Sequence, residues 1–153
     1  MASSIPGART ALYAGLAALT GASEPLEGAG VYRTGLWREE RAPDRIIVAN
    51  AVDVERDVMA LARPAPFREE FALLVQFEVY RSGDDVGYVE DRLWDLITAV
   101  EQYVMGDPTL GGAVSQALPA GVSEQAGPSA NDEDTLIGLA TLRLECWARV
   151  HLN

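Results

Sequence analysis

Two side chains have the chemistry of a nucleophile and a general base, and each occurs once: Cys146 and His151. Nucleophilic catalysis needs such a pair within hydrogen-bond reach. Both lie in the last alternating stretch of the chain, an odd number of positions apart. Successive side chains of a strand point to opposite faces, so the two cannot form a dyad within that strand. Cys146 falls with Leu142, Leu144 and Ala148 and reads as a small buried hydrophobe. His151 falls with Thr141, Arg143 and Trp147 near the end of the chain and reads as solvated. One Cys and one His fall short of a zinc site. A lone cysteine cannot form an internal disulfide, so nothing argues for an oxidising compartment.

The acidic pairs are the next candidates, for magnesium, calcium or acid–base work. Asp84-Asp85 precedes a helical pattern and reads as its cap. Asp132-Glu133-Asp134 lacks the central Gly and distal Glu of a calcium loop. Glu39-Glu40 and Glu69-Glu70 stand beside Arg38, Arg41 and Arg68 and read as solvated charge clusters. No nucleophile-elbow, dinucleotide-binding or phosphate-loop motif is present. Gly111-Gly112 reads as a turn. The expectation is a protein without catalytic, cofactor-binding or metal-ligating residues, and not an enzyme.

Charge narrows the partners. Asp plus Glu number 23 against 12 basic residues, a net charge of −11, and every basic residue is Arg. Binding nucleic acid by counterion release needs a basic surface, which this balance does not supply. No apolar run approaches the ~20 residues that span a bilayer. Residues 11–22 look like a signal-peptide core but lack a strongly positive segment before them, so an Ala-rich amphipathic helix is the expectation. At 48% hydrophobic and 23% charged over 153 residues, the chain is expected to fold as one domain, residues 1–153.

Periodicity then places the elements. Ser4 and Pro6 open a helix whose stripe is Ala8, Leu12, Leu16 and Leu19, with Gly21 as its end. Residues 31–37 and 45–52 read as strands, the second apolar on both faces and therefore central. Residues 67–81 alternate most strongly of all. Residues 45–81 together read as a long hairpin with its tip near Pro64, and its charged outer part, residues 55–70, is expected to project. A second helix has Val89, Leu93, Leu96, Ile97, Val100 and Val104 on one face, and Gly106 and Pro108 stop it. Residues 114–122 read as an edge strand because Pro119 lies inside it. Residues 121–134 read as a flexible polar loop, and residues 135–152 as a last strand with one buried face. The class is α+β: a mixed or antiparallel sheet with a projecting hairpin, packed against an N-terminal helix and a central amphipathic helix.

This order resembles the tail terminator, or tail-completion, proteins of long-tailed bacteriophages. The similarity is clearest over residues 71–111, where a long alternating strand runs through Arg81-Ser82-Gly83-Asp84 into the amphipathic helix. Asp107-Pro108-Thr109-Leu110-Gly111 then leads to the next strand. The final strand through Arg143-Leu144-Glu145-Cys146-Trp147 and the Ala-rich first helix fit too. The resemblance is one of topology and spacing.

It implies a structural virion protein, assembled in the host cytoplasm, that forms a homo-oligomeric ring, typically a hexamer, at the head-proximal end of the tail tube. The implied partners are other copies of itself, the tail tube protein and the head–tail connector or stopper, with DNA passing through the lumen without specific binding and no membrane involved. Alternatives of the same kind are another neck protein (head-completion or stopper) and a tail-tube protein; a small ligand-binding α+β domain is the alternative from another class. The interaction residues expected from exposed aromatic and basic positions are Arg63, Phe67, Arg68, Trp37 and Trp147.

Overall fold

The computed structural model describes residues 3–33, 42–58, 66–129 and 134–151. Its elements run α1 (Ile5–Ala17), β1 (Gly30–Arg33), β2 (Asp44–Val58), β3 (Phe67–Ser82), α2 (Val86–Gly106), β4 (Gln116–Pro128) and β5 (Thr135–Val150). The five strands form one sheet in the order β1-β2-β3-β5-β4. β1 pairs parallel with β2, and every other neighbour is antiparallel. The class is α+β, as expected.

α1 forms because Ala8, Leu12 and Leu16 recur every four residues and are all fully buried. It stops at Ala17, short of Gly21. There the chain tightens, with the Leu19 N–H donating to the Leu16 carbonyl at 3.0 Å, and then folds back so that Leu26 enters the core. α2 is capped by Asp85, whose carboxylate accepts the Tyr88 N–H at 3.0 Å. Its six predicted apolar positions are all fully buried.

β2 and β3 form the expected hairpin. The ladder between β3 and β5 is longer and unbroken, from Phe67 opposite Val150 to Ser82 opposite Thr135. Along it, the odd positions of β3 and the even positions of β5 face the helices. Phe71, Leu73, Val75, Phe77 and Val79 meet Leu142, Leu144 and Cys146 in one core with both helices. Glycine permits two close approaches. At Gly138 a Cβ would sit 2.7 Å from Val89, so α2 rests directly on the β5 backbone. At Gly15 a Cβ would overlap the Tyr103 phenol, which brings α1 against α2.

Two expectations are corrected. The outer part of the hairpin does not project as a unit. Residues 53–58 of β2 are exposed, but Phe67, Glu69 and Phe71 of β3 are buried. The cause is β5, which reaches Val150 and covers the far end of β3. The polar stretch read as a loop is strand as far as Pro128, with Gly121 opposite Arg143 and Pro128 opposite Leu136. An edge strand needs one ladder partner only, and its solvent side accepts Gly, Ser and Glu. A register shift between Pro119 and Gly121 accommodates the proline. No helix among the described residues is long and apolar enough to cross a membrane.

The Gly15 contact yields a test. Gly15→Ala should destabilise the fold by about 1–3 kcal/mol, the usual cost of overpacking, despite alanine's better helix propensity. Urea denaturation against the parent measures it, and an unchanged or raised midpoint would show that Tyr103 moves aside freely.

Candidate interaction surface

Both helices cover one face of the sheet, and the other face is open. Register decides what lies there: Arg68, Glu70, Ala72, Leu74, Gln76, Glu78 and Tyr80 from β3, and Ile137, Leu139, Thr141, Arg143, Glu145, Trp147 and Arg149 from β5. Leu74, Ile137 and Leu139 are half-buried apolar groups. Three arginines of this face are each braced by a carboxylate. Arg45 pairs with Glu78 at 3.3 Å and lies over the Tyr80 ring at 4.5 Å. Arg143 bridges Asp53 at 2.8 Å and Glu145 at 2.9 Å. Arg68 pairs with Glu70 and stacks on the Trp147 ring at 4.4 Å. The Trp147 indole N–H reaches the Gln116 side-chain oxygen of β4 at 3.4 Å.

Of the five residues expected to make contacts, the structure brings Arg68 and Trp147 together in that stack. Phe67 is on the opposite face and only 5% exposed, so it belongs to the core and not to the surface of the folded chain. Arg63 and Trp37 lie outside the described residues, as does most of the hairpin tip. Trp94 is 43% exposed on α2 and donates to Glu124 of β4 at 3.0 Å.

Two buried carboxylates were not singled out by the sequence. Glu69, read as part of a solvated cluster, is fully buried. It accepts from the Ser3 hydroxyl at 3.0 Å, from the Ser4 N–H at 2.9 Å and hydroxyl at 2.6 Å, and from Arg56 at 2.8 Å. Asp44, at the start of β2, is 4% exposed. Arg92 donates to its Oδ2 at 2.8 Å, and Arg81 reaches Oδ2 at 3.0 Å. Arg81 also lies 2.6 Å from Oδ1, but without hydrogen-bond geometry, so that oxygen is held by charge alone. The signal was available in the alternation, since Glu69 is in phase with Phe67 and Phe71, and Asp44 with Ile46 and Val48.

Electrostatics assigns these groups to anchoring. Burial alone would raise the pKa of Glu69, but hydrogen bonds from Ser4, Arg56 and Ser3 outweigh it and hold the group below its usual 4.5. Burial likewise opposes ionisation of Asp44, and Arg81 and Arg92 override it. Both carboxylates stay ionised and occupied. Burial pushes the Cys146 thiol up to about 12, so no thiolate forms at neutral pH. His151 is exposed, one residue beyond the end of β5. Among the described residues no three His, Cys, Asp or Glu side chains gather as metal ligands. The groove on the open face is shallow and polar, lined by Gln76, Glu78, Ser123, Gln125, Leu139 and Thr141.

No family model and no curated protein matches the chain. Among solved structures, it aligns with a chain of the "Virion of native gene transfer agent (GTA) particle" at 14% identity, covering 96% of this chain and 100% of that one. The TM-score is 0.38, and a likeness of that strength carries no functional weight.

The Glu69 anchor predicts an acid-linked loss of stability. Its folded pKa is depressed, so its contribution is complete above 4.5 and disappears as pH falls through the lower folded value. Glu69→Gln should cost about 1.5–3 kcal/mol at pH 7 and flatten the decline below pH 4.5. Chemical denaturation of parent and variant between pH 7 and pH 3 checks both; parallel pH profiles would remove Glu69 from the explanation.

Proposed function

We propose that this protein is a structural component of a long-tailed phage particle: a tail terminator that forms a homo-oligomeric ring, typically of six subunits in the family it resembles, at the head-proximal end of the tail tube. The observation that carries the reading is the one-sided sheet. Its open face interleaves arginines, carboxylates and aromatics around half-buried apolar groups, and its groove, among the described residues, is shallow and polar. Aromatic and arginine side chains at a surface are the usual currency of protein–protein contacts. A pocket for a small ligand would instead be concave and mostly apolar.

A terminator must bind the last ring of the tube without templating another. That requires two chemically different faces on one subunit. Here one face is helical and the other is a bare sheet. The subunit would meet the tail tube protein on one side and the head–tail connector or stopper on the other. Net negative charge suits a lumen through which DNA passes without sticking, because like charges repel across a Debye length of about 8–10 Å. On this reading no cofactor, metal or catalytic group takes part.

Electron microscopy of particles made without this gene product tests the role. Free tails of uncontrolled length beside filled heads are expected. Normal tails with leaking or empty heads would place the protein on the head side of the neck instead, and normal infectious virions would reject a structural role. In the same assay Trp147→Ala should leave the fold intact, because the side chain lies outside the core, and should reduce joined particles by tenfold or more. Wild-type yields from this variant would remove the open face from the contact.

A further inference from the structure

β4 is an edge strand, and its outer side has no strand partner among the described residues. Register shows which of its backbone groups face outward. Ser129 donates to the Thr135 carbonyl at 2.8 Å, and the two follow Pro128 and Leu136 in register. Bonded and free positions alternate along an antiparallel pair, so Gly127, Gln125 and Ser123 turn their backbone groups toward β5. Val122, Glu124 and Ala126 turn theirs outward. The two prolines keep the same phase. Pro128 is in step with Ala126. Pro119, before the register shift, is in step with Ala117, whose N–H leaves the sheet for the Pro108 carbonyl at 2.6 Å. A missing N–H breaks no ladder bond at such positions. Prolines are one device that blunts an edge. Here they limit its length and leave three outward residues open between them.

Both sides of this edge can receive side chains. On the open face, Gln125 and Gly127 stand directly across from Leu139 and Ile137, which are half-buried. The grooves there are lined by Ser123, Gln125 and Leu139, and by Gly127, Pro128 and Ile137. On the helix side, Trp94 is 43% exposed and donates to Glu124 at 3.0 Å. Glu90 precedes Trp94 by one turn on the same flank of α2 and is exposed. No cation pairs with Glu90 or Glu124 among the described residues.

We propose that residues 122–126 of β4 receive an extended segment of another protein as a sixth strand. Its apolar side chains turn toward Ile137 and Leu139. Arginine or lysine side chains, alternating with them, turn toward Trp94, Glu124 and Glu90. Main-chain bonds supply the affinity of such a contact, and the two side-chain rows supply its specificity. Charge argues for this occupant: two unpaired carboxylates and an exposed indole face all select a cation. A net charge of −11 disfavours a second copy of the chain as its source. The contact is a property of the purified chain and does not depend on the tail-terminator reading.

The probe is a capped peptide of about seven residues that alternates valine and arginine. Amide hydrogen exchange, read by NMR, is the first measurement. In the free chain Val122, Glu124 and Ala126 should exchange fast, and Ser123 and Gln125 slowly. With saturating peptide the first three should slow at least tenfold. The same peptide N-methylated on each residue facing β4 should not bind, a control that leaves the protein unchanged. Ala126→Pro removes one outward donor without touching the β5 ladder, and should weaken binding at least tenfold while the melt stays cooperative. Glu90→Arg combined with Glu124→Arg should reverse the preference, from the arginine peptide to one with glutamate in its place. Uniform exchange over residues 122–126 in the free chain, no saturable binding at about 1 mM peptide, or equal binding of the N-methylated peptide would each overturn the proposal. Protection of the same amides by self-association without peptide would overturn it in favour of a second copy. None of these outcomes alters what electron microscopy of particles lacking the gene product shows, so the two readings fail separately.

Discussion

Everything in this fold depends on the unbroken ladder between β3 and β5. Two sixteen-residue strands pair without a shift from Phe67–Val150 to Ser82–Thr135. Side chains alternate with a period of two, so this register alone decides which of them meet the helices. A slip of one residue would turn Glu70, Gln76 and Glu78 into the core and expel Phe71, Val75 and Phe77. The same register sets Trp147 on the open face opposite Glu70, close enough to stack on Arg68. Surface and core are therefore consequences of one alignment.

The two buried carboxylates fix what the ladder leaves free. Glu69 lies near one end of β3, and Asp44 pairs opposite Val79 near the other. Glu69 gathers Ser3, Ser4 and Arg56, and so ties the start of α1 and the outer part of β2 to the central strand. Asp44 gathers Arg81 and Arg92, and so ties the first half of α2 to β2 and β3. Burying a charge is costly, and the attraction of its partners repays that cost only with good geometry. The gain is directional. Apolar contacts would tolerate a helix rotated or shifted along the sheet, whereas hydrogen bonds to a fixed carboxylate do not. Ser4 illustrates the trade: it stands at the N-cap of α1 but makes no side-chain cap bond, and its hydroxyl goes to Glu69 instead.

Much of this was legible in the residues. The α2 stripe, the alternation of β3 and β5, the hairpin and the edge placement of β4 all follow from patterns that one element carries by itself. What escaped depended on a partner in space. The second half of β4 has no alternation, because an edge strand over a solvated side needs none, and its strand character comes from β5. Burial of the hairpin's outer half on the β3 side likewise comes from the length of β5. Glu69 was read from its neighbours in sequence, Arg68 and Glu70, when its neighbours in space were Ser3, Ser4 and Arg56. The candidate surface was half legible: exposed-looking Arg and Trp positions picked out Arg68 and Trp147, but Phe67 has the phase of the core, and alternation could have said so.

An open sheet face does not by itself call for a partner, since antiparallel sheets commonly keep one face in water. The difference lies in how this face is finished. A purely solvated face would be polar throughout, with charges in balanced pairs. Here Arg45, Arg143 and Arg68 are balanced in that way, with Asp57 in register opposite Arg68, yet Leu74, Ile137 and Leu139 lie half-buried among them, beside a tryptophan whose ring Arg68 covers. Half-buried apolar groups set among paired charges can be covered by a partner without leaving any of those charges unpaired.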